Sequence, residues 1–119
     1  MDPLAFHLTA PGRYIADNAL KTRRYVIQKI DKSWHLSVWR LQEHVFTHGE
    51  NLYLTDGERT DLGTGKTKWE AVAHANMWEA DKLGDREAKR RFHNEMADRW
   101  IGTDLPADLT AELRERLYI

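Results

Sequence analysis

The string Gly63-Thr64-Gly65-Lys66-Thr67 ends like a phosphate-binding loop, with Gly-Lys-Thr ahead of an alanine-rich segment. Such loops hold phosphate because successive backbone N–H groups and a helix N-terminus converge on the anion. The full motif needs a glycine five residues before Gly65, and Thr60 stands there. The preceding GERTDL is polar where the motif needs a buried strand. A flexible loop running into a helix cap is the better reading. His44 and His48 have a spacing that suits zinc on a helix. Their segment is β-branched and ends in glycine, and only His35, Glu43 or Glu50 offers a third ligand, so both read as solvated strand histidines. His74 lies between alanines and His93 follows Phe92, without a serine at a nucleophile elbow and with no cysteine in the chain. Glu70, Glu79 and Asp81 read as solvent-facing, salt-bridged helix residues. These residues form no convergent acid–base set. The expectation is a protein that is not an enzyme, with no metal and no cofactor.

The basic stretch is the sharper feature. Lys21, Arg23, Arg24, Lys29, Lys32 and Arg40 fall within twenty residues, opposed only by Asp31, and Tyr25, Trp34 and Trp39 interleave with them. A basic sheet face can track phosphates, and a β-ribbon can enter a major groove. On that alternative Arg23, Arg24, Lys29 and Arg40 contact nucleic acid. The competing reading is a solvated strand face whose cations discourage sheet-to-sheet aggregation. The whole chain has 18 basic and 19 acidic residues, so no general polyanion bias supports the first. A second cluster, Lys89-Arg90-Arg91, is offset by Asp85, Glu87 and Glu95 and reads as ordinary helix surface.

Tryptophan is the other notable residue type. Five occur, at 34, 39, 69, 78 and 100. A small core has little room for all five, and Trp is favoured at interface centres. Trp39 and Trp78 lie off the expected core stripes of their elements and are the candidate anchors for a protein partner.

Two hydrophobic periods position these side chains. Leu4, Phe6 and Leu8 alternate in an N-terminal arm or short edge strand spanning residues 1–12. Gly12 to Asp17 reads as a strand and Asp17-Asn18 as a turn. Arg23–Ile30 and Trp34–Leu41 alternate apolar and polar residues, which predicts two strands. With Asp31-Lys32 as a two-residue loop, Tyr25 faces Val38 and Ile27 faces Leu36 on an apolar side. Arg24 then faces Trp39, Val26 faces Ser37 and Gln28 faces His35 on a mixed, wet side, with Arg24 placed to stack on Trp39. A further strand, broken near His48-Gly49, lies within Glu43–Thr55. Asp56-Gly57 signals a turn into Arg59–Leu62, and Gly63-Thr64-Gly65 reads as loop.

From Thr67 the period changes. Thr67 and Glu70 make a capping box, and Trp69, Ala73, Asn76, Ala80 and Leu83 form the expected inner stripe, flanked by Val72 and Met77. Gly84 ends that helix. Asp85 caps a second, with Ala88, Phe92, Met96 and Trp100 on one face and Gly102 at its end. Pro106 opens a third, striped by Leu109, Leu113 and Leu117. These elements predict a single α+β domain over 1–119: an antiparallel β-meander of three to five strands over 13–62, one helix packed on it, then two amphipathic helices within the helical part 67–119.

The order of strands followed by Thr67-x-x-Glu70-Ala71 and an alanine-rich helix, with the Trp34-x-Leu36-x-Val38 strand, resembles small β-meander-plus-helix domains of uncharacterised bacteriophage and actinobacterial proteins. It is also similar in arrangement to the three-strand-plus-helix DNA-binding domains of phage integrase arms and plant AP2 proteins, whose sheets lie in the major groove. The resemblance covers residues 13–83 and carries over no functional residue. It implies a phage-type accessory protein that binds a host or virion protein. The absence of cysteine fits a reducing compartment, and no stretch approaches the roughly 18 apolar residues of a membrane span, so a cytoplasmic protein without a membrane partner is expected. The leading expectation is a non-enzymatic protein-interaction module that uses exposed aromatics and the terminal leucine stripe, with self-association included among its contacts. Nucleic-acid binding by the basic hairpin is the alternative.

Overall fold

The computed structural model describes the backbone of residues 1–45 and 51–119, with side chains at all of these except 44, 45, 51–53 and 56. The protein is α+β. Five strands form one antiparallel sheet in sequence order, β1 (His7–Ala10), β2 (Arg13–Asp17), β3 (Arg23–Ile30), β4 (Ser33–Val45) and β5 (Asn51–Gly65). Helices α1 (Lys68–Lys82), α2 (Arg86–Ile101) and α3 (Ala107–Leu117) follow. The chain divides into two compact units: Leu4–Ala75, and Asn76–Ile119 together with Met1–Pro3.

In the first unit the β3–β4 register is the expected one: Tyr25 pairs with Val38, Ile27 with Leu36, Val26 with Ser37 and Arg24 with Trp39. The two-residue loop Asp31-Lys32 sets it, because Ile30 pairs with Ser33. Asp31 supplies the positive φ, at 56°, that a glycine would otherwise provide at the first loop position. Alternation then gathers Tyr25, Ile27, Leu36 and Val38 on one side, where all four are buried with Ala16. Ala71 and Ala75 of α1 are buried in the same unit.

The β2–β3 connection is tied by a side chain. Asn18, 1% exposed, accepts through Oδ1 from the backbone N–H of Thr22 (2.8 Å) and Arg23 (3.0 Å), and its Nδ2 donates to Thr22 Oγ1 at 2.8 Å. Lys21 takes a left-handed φ of 56° within the turn.

Two expectations about β5 are corrected. Asp56-Gly57 does not turn the chain, and Gly63-Thr64-Gly65 is not loop, since both lie inside a single fifteen-residue strand. The register slips where they occur. Trp39 pairs with Arg59 but Leu41 with Thr55, and Leu36 pairs with Gly63 but Ser37 with Asp61. Extra residues on β5 are thus absorbed as bulges, and Gly57 (φ 90°) and Gly63 (φ 126°) take the backbone conformations these need. Turn chemistry and bulge chemistry share the demand for positive φ, and the long partner strand β4 favours the bulge. Glu43–Val45 belong to β4 and Asn51–Thr55 to β5; the expected break at His48-Gly49 lies outside the described residues.

Helix α1 starts as expected. Thr67 Oγ1 meets the Glu70 backbone N–H at 3.4 Å and the Glu70 carboxylate at 3.1 Å. Its inner face agrees with the expected one at Asn76 and Ala80 and departs from it elsewhere. Ala71, Ala75, Asn76, Glu79 and Ala80 are buried, whereas Trp69 and Ala73 are half-buried and Leu83 is exposed. A Cβ placed on Gly65 would lie 3.1 Å from the Glu70 Cβ and 3.5 Å from the Ala71 N, so the strand end and the helix start approach too closely for bulky residues between them. Glu79, expected in solvent, is 1% exposed.

In the second unit Ala80, Ala88 and Phe92 form the core, with Met1 and Met77 packed on it. Asp85 caps α2 through the Ala88 N–H (3.0 Å) and also receives the Met1 ammonium at 2.8 Å. The α2 stripe ends at buried Ala97 rather than Trp100, which is 53% exposed. Helix α3 has no buried residue. Asp98 joins it to α2, accepting from Arg114 Nε (3.0 Å) and the Tyr118 hydroxyl, while Asn94 Oδ1 accepts from the Ile119 N–H at 3.1 Å.

Candidate functional site: the open face of the sheet

The register that buries one side of the meander leaves the other facing outward. Arg13 and Ile15 of β2 share this side with Arg24, Val26, Gln28 and Ile30 of β3, His35, Ser37 and Trp39 of β4, and Arg59 and Asp61 of β5. It is mixed, as the alternation predicts, although Val26 is buried within it at 8% exposure. A groove of about 380 Å3 opens on this side, running from Arg13 past Gln28, His35 and Ser37 to Trp39 and Arg59. That is within the size range of ligand clefts.

Trp39 is half-buried at one end. The cation on its ring belongs to Arg59, whose Cζ is 5.6 Å from the ring centroid. Arg24 does not stack there: its Nε meets Asp17 Oδ1 at 2.7 Å and its Nη2 meets Asp17 Oδ2 at 3.0 Å. The fork fits a carboxylate better than a ring, and Asp17 is the directly paired residue across β2. The pairing raises the Arg24 pKa, chiefly through the hydrogen bond to Asp17.

The residues of the nucleic-acid alternative are not gathered on one face. Arg24 is on the open side, whereas Arg23, Lys29 and Arg40 alternate with the core residues on the other. Lys29 lies over the Trp34 ring at 5.6 Å, and Arg40 Nη1 contacts Glu58 at 3.3 Å. Trp34 in turn stacks obliquely on Tyr14, with centroids 6.1 Å apart, and Lys68 covers the Tyr14 ring at 4.1 Å. The expected basic face is therefore split between the two sides, and Arg24, Lys29 and Arg40 each meet a ring or carboxylate of the protein itself. The cause is the two-residue period, which sends adjacent Arg23 and Arg24 to opposite sides.

Trp78, the second expected anchor, belongs to the other unit, where it is half-buried beneath Lys82, 4.7 Å from the ring centroid. The terminal leucines Leu109 and Leu117 are exposed, as are Leu105, Tyr118 and Ile119.

The phosphate-loop string holds no cradle, since Gly63 to Gly65 are strand and the Thr67 hydroxyl is engaged by Glu70. His48 lies outside the described residues, and no group of three or more His, Asp or Glu suited to a metal occurs among those described. His74 is half-buried, its Cε1 lying 3.8 Å from where a Gly63 Cβ would stand, and burial pushes its pKa below the usual histidine value. Two groove residues, Arg13 and Arg59, were missed by sequence reasoning. No motif marks either one in the sequence, and only the strand order brings them into one groove with Trp39. No helix among the described residues is long and apolar enough to cross a membrane. No protein-family model, curated protein or solved structure significantly matches the chain.

Proposed function

We propose that this chain is a non-enzymatic protein-interaction module that docks its partner on the open face of the sheet, with Trp39 as the anchor. The observation that carries the reading is the half-buried Trp39 ring at the end of a groove whose other walls offer hydrogen-bonding side chains. A ring of this kind supplies a large contact area while already pinned by its neighbours, the pattern of an interface hot spot. The resemblance to phage-type domains suggests a host or virion protein as partner, met in the cytoplasm. Trp78 and the exposed leucines of α3 stand as separate contact surfaces in the second unit.

The test compares quantitative capture by the wild-type chain with capture by Trp39→Ala and by Trp78→Ala. The expected result is a partner retained by wild type and lost with Trp39→Ala, at a melting temperature within about 3 °C of wild type. Equal capture by Trp39→Ala, or a melting temperature lowered by more than about 10 °C, would place the ring in a structural role and refute the reading.

A further inference from the structure

Resting on that reading, we infer that the occupant of the groove is an extended acidic peptide segment, with one carboxylate on Arg13 and an apolar side chain against Trp39. The argument begins with the charges on the open face. Arg24 is neutralised by Asp17 and Arg59 by Asp61, at 2.7 Å and 3.2 Å. Arg13 remains: it lines the groove, is half-buried, and has no ion-pair partner among the described residues. An unpaired guanidinium presents a planar fork that a carboxylate meets at two points.

A nucleic-acid strand fits the same face poorly. It carries a charge at every nucleotide, and it would lay phosphates along a surface where two carboxylates, Asp17 and Asp61, already cancel two of the three arginines. A peptide with one acidic residue makes no such demand. Between the two anchor points lie Gln28 and Ser37, which can donate to and accept from a peptide backbone.

The register also sets a spacing. Arg13 pairs with Gln28, Gln28 pairs with His35, and Trp39 stands four residues further along β4. Two strand spacings across and four residues along give a diagonal of about 16 Å, which an extended chain covers in about five residues. The preferred ligand therefore carries Asp or Glu about five positions from a large apolar residue.

A displayed library of random dodecapeptides, selected on the full chain and on Arg13→Glu, tests this. Arg13→Gln serves as a charge-neutral variant, and its melting temperature reports that the sheet is intact. The winners are expected to share that acid-to-apolar spacing, to bind Arg13→Gln at least about tenfold more weakly, and to be lost with Trp39→Ala. Selection on Arg13→Glu is expected to exchange the acidic position for Lys or Arg. Winners without an acidic residue that still require Trp39 would overturn the inference and leave the docking face standing. Winners indifferent to Trp39→Ala, or no enrichment at all, would overturn both. Displacement of the winners by oligo-dT12, with steep salt dependence, would assign the groove to nucleic acid instead.

Discussion

Asp17 and Arg24 face each other across β2 and β3, and the guanidinium meets the carboxylate at two points. Their side chains are only 17% and 28% exposed, whereas those of Arg40 and Glu58, the corresponding pair between β4 and β5, are 55% and 69% exposed. The two bridges should therefore differ in worth. Asp17→Ala is expected to lower stability by about 1–2 kcal/mol, because it leaves a partly desolvated guanidinium unpaired. Glu58→Ala should change it by no more than about 0.5 kcal/mol. Urea denaturation of the two variants measures the contrast, and equal losses would contradict it.

Asn18 is expected to be the more sensitive neighbour. Its Oδ1 accepts from the backbone N–H groups of both Thr22 and Arg23. Asn18→Ala should cost about 2–3 kcal/mol, whereas Thr22→Val, which removes only the hydroxyl contact, should cost about 1 kcal/mol. Amide exchange at Thr22 and Arg23 would rise sharply in the first variant and little in the second.

Burial of His74 sets a pH dependence. Its folded pKa is depressed below 6.5, so the unfolded chain binds the proton more readily. Stability contributed by the neutral ring is full above pH 6.5 and declines as pH falls from there toward the folded pKa. His74→Leu should remove this slope. NMR titration of the His74 Cε1 proton in the folded protein should show a midpoint below 6.5, and a midpoint above it would contradict the assignment.

The α2–α3 contact should respond to pH at both extremes. Hydrogen bonding by Tyr118 and Arg114 holds Asp98 below its ordinary 3.8, while the Asp98 bond raises Tyr118 above its ordinary 10.0. The depressed carboxylate contributes stability above about pH 4 that is lost as pH falls through its folded value. The raised phenol contributes stability below about pH 10 that is lost as pH rises through its own. Asp98→Asn should flatten the acid side of the response, read from the Tyr118 and Ile119 resonances.

Much of the fold was legible because local chemistry and global pairing agreed. The β3–β4 register followed from Asp31-Lys32 and the alternation on either side of it, so Trp39 was placed on the outward side before any strand order was known. The errors share a cause. The spacing on α1 places Asn76 and Ala80 correctly on the buried face but sets Trp69 and Ala73 there too, whereas the helix start in close approach to Gly65 buries Ala71 and Ala75. Asp56-Gly57 reads as a turn because positive φ serves turn and bulge alike. The groove was hidden for a different reason. Arg13, Gln28, Trp39 and Arg59 come from four strands, and no sequence window contains them together.

The boundary between the two compact units falls between Ala75 and Asn76, inside the unbroken fifteen-residue helix α1. Fragments cut there would each inherit a severed ladder, with the final carbonyls of one piece and the first amides of the other stripped of their partners. Separate expression of the halves therefore calls for keeping α1 whole in each, and a protease that nicks surface segments has no loop at this boundary to attack.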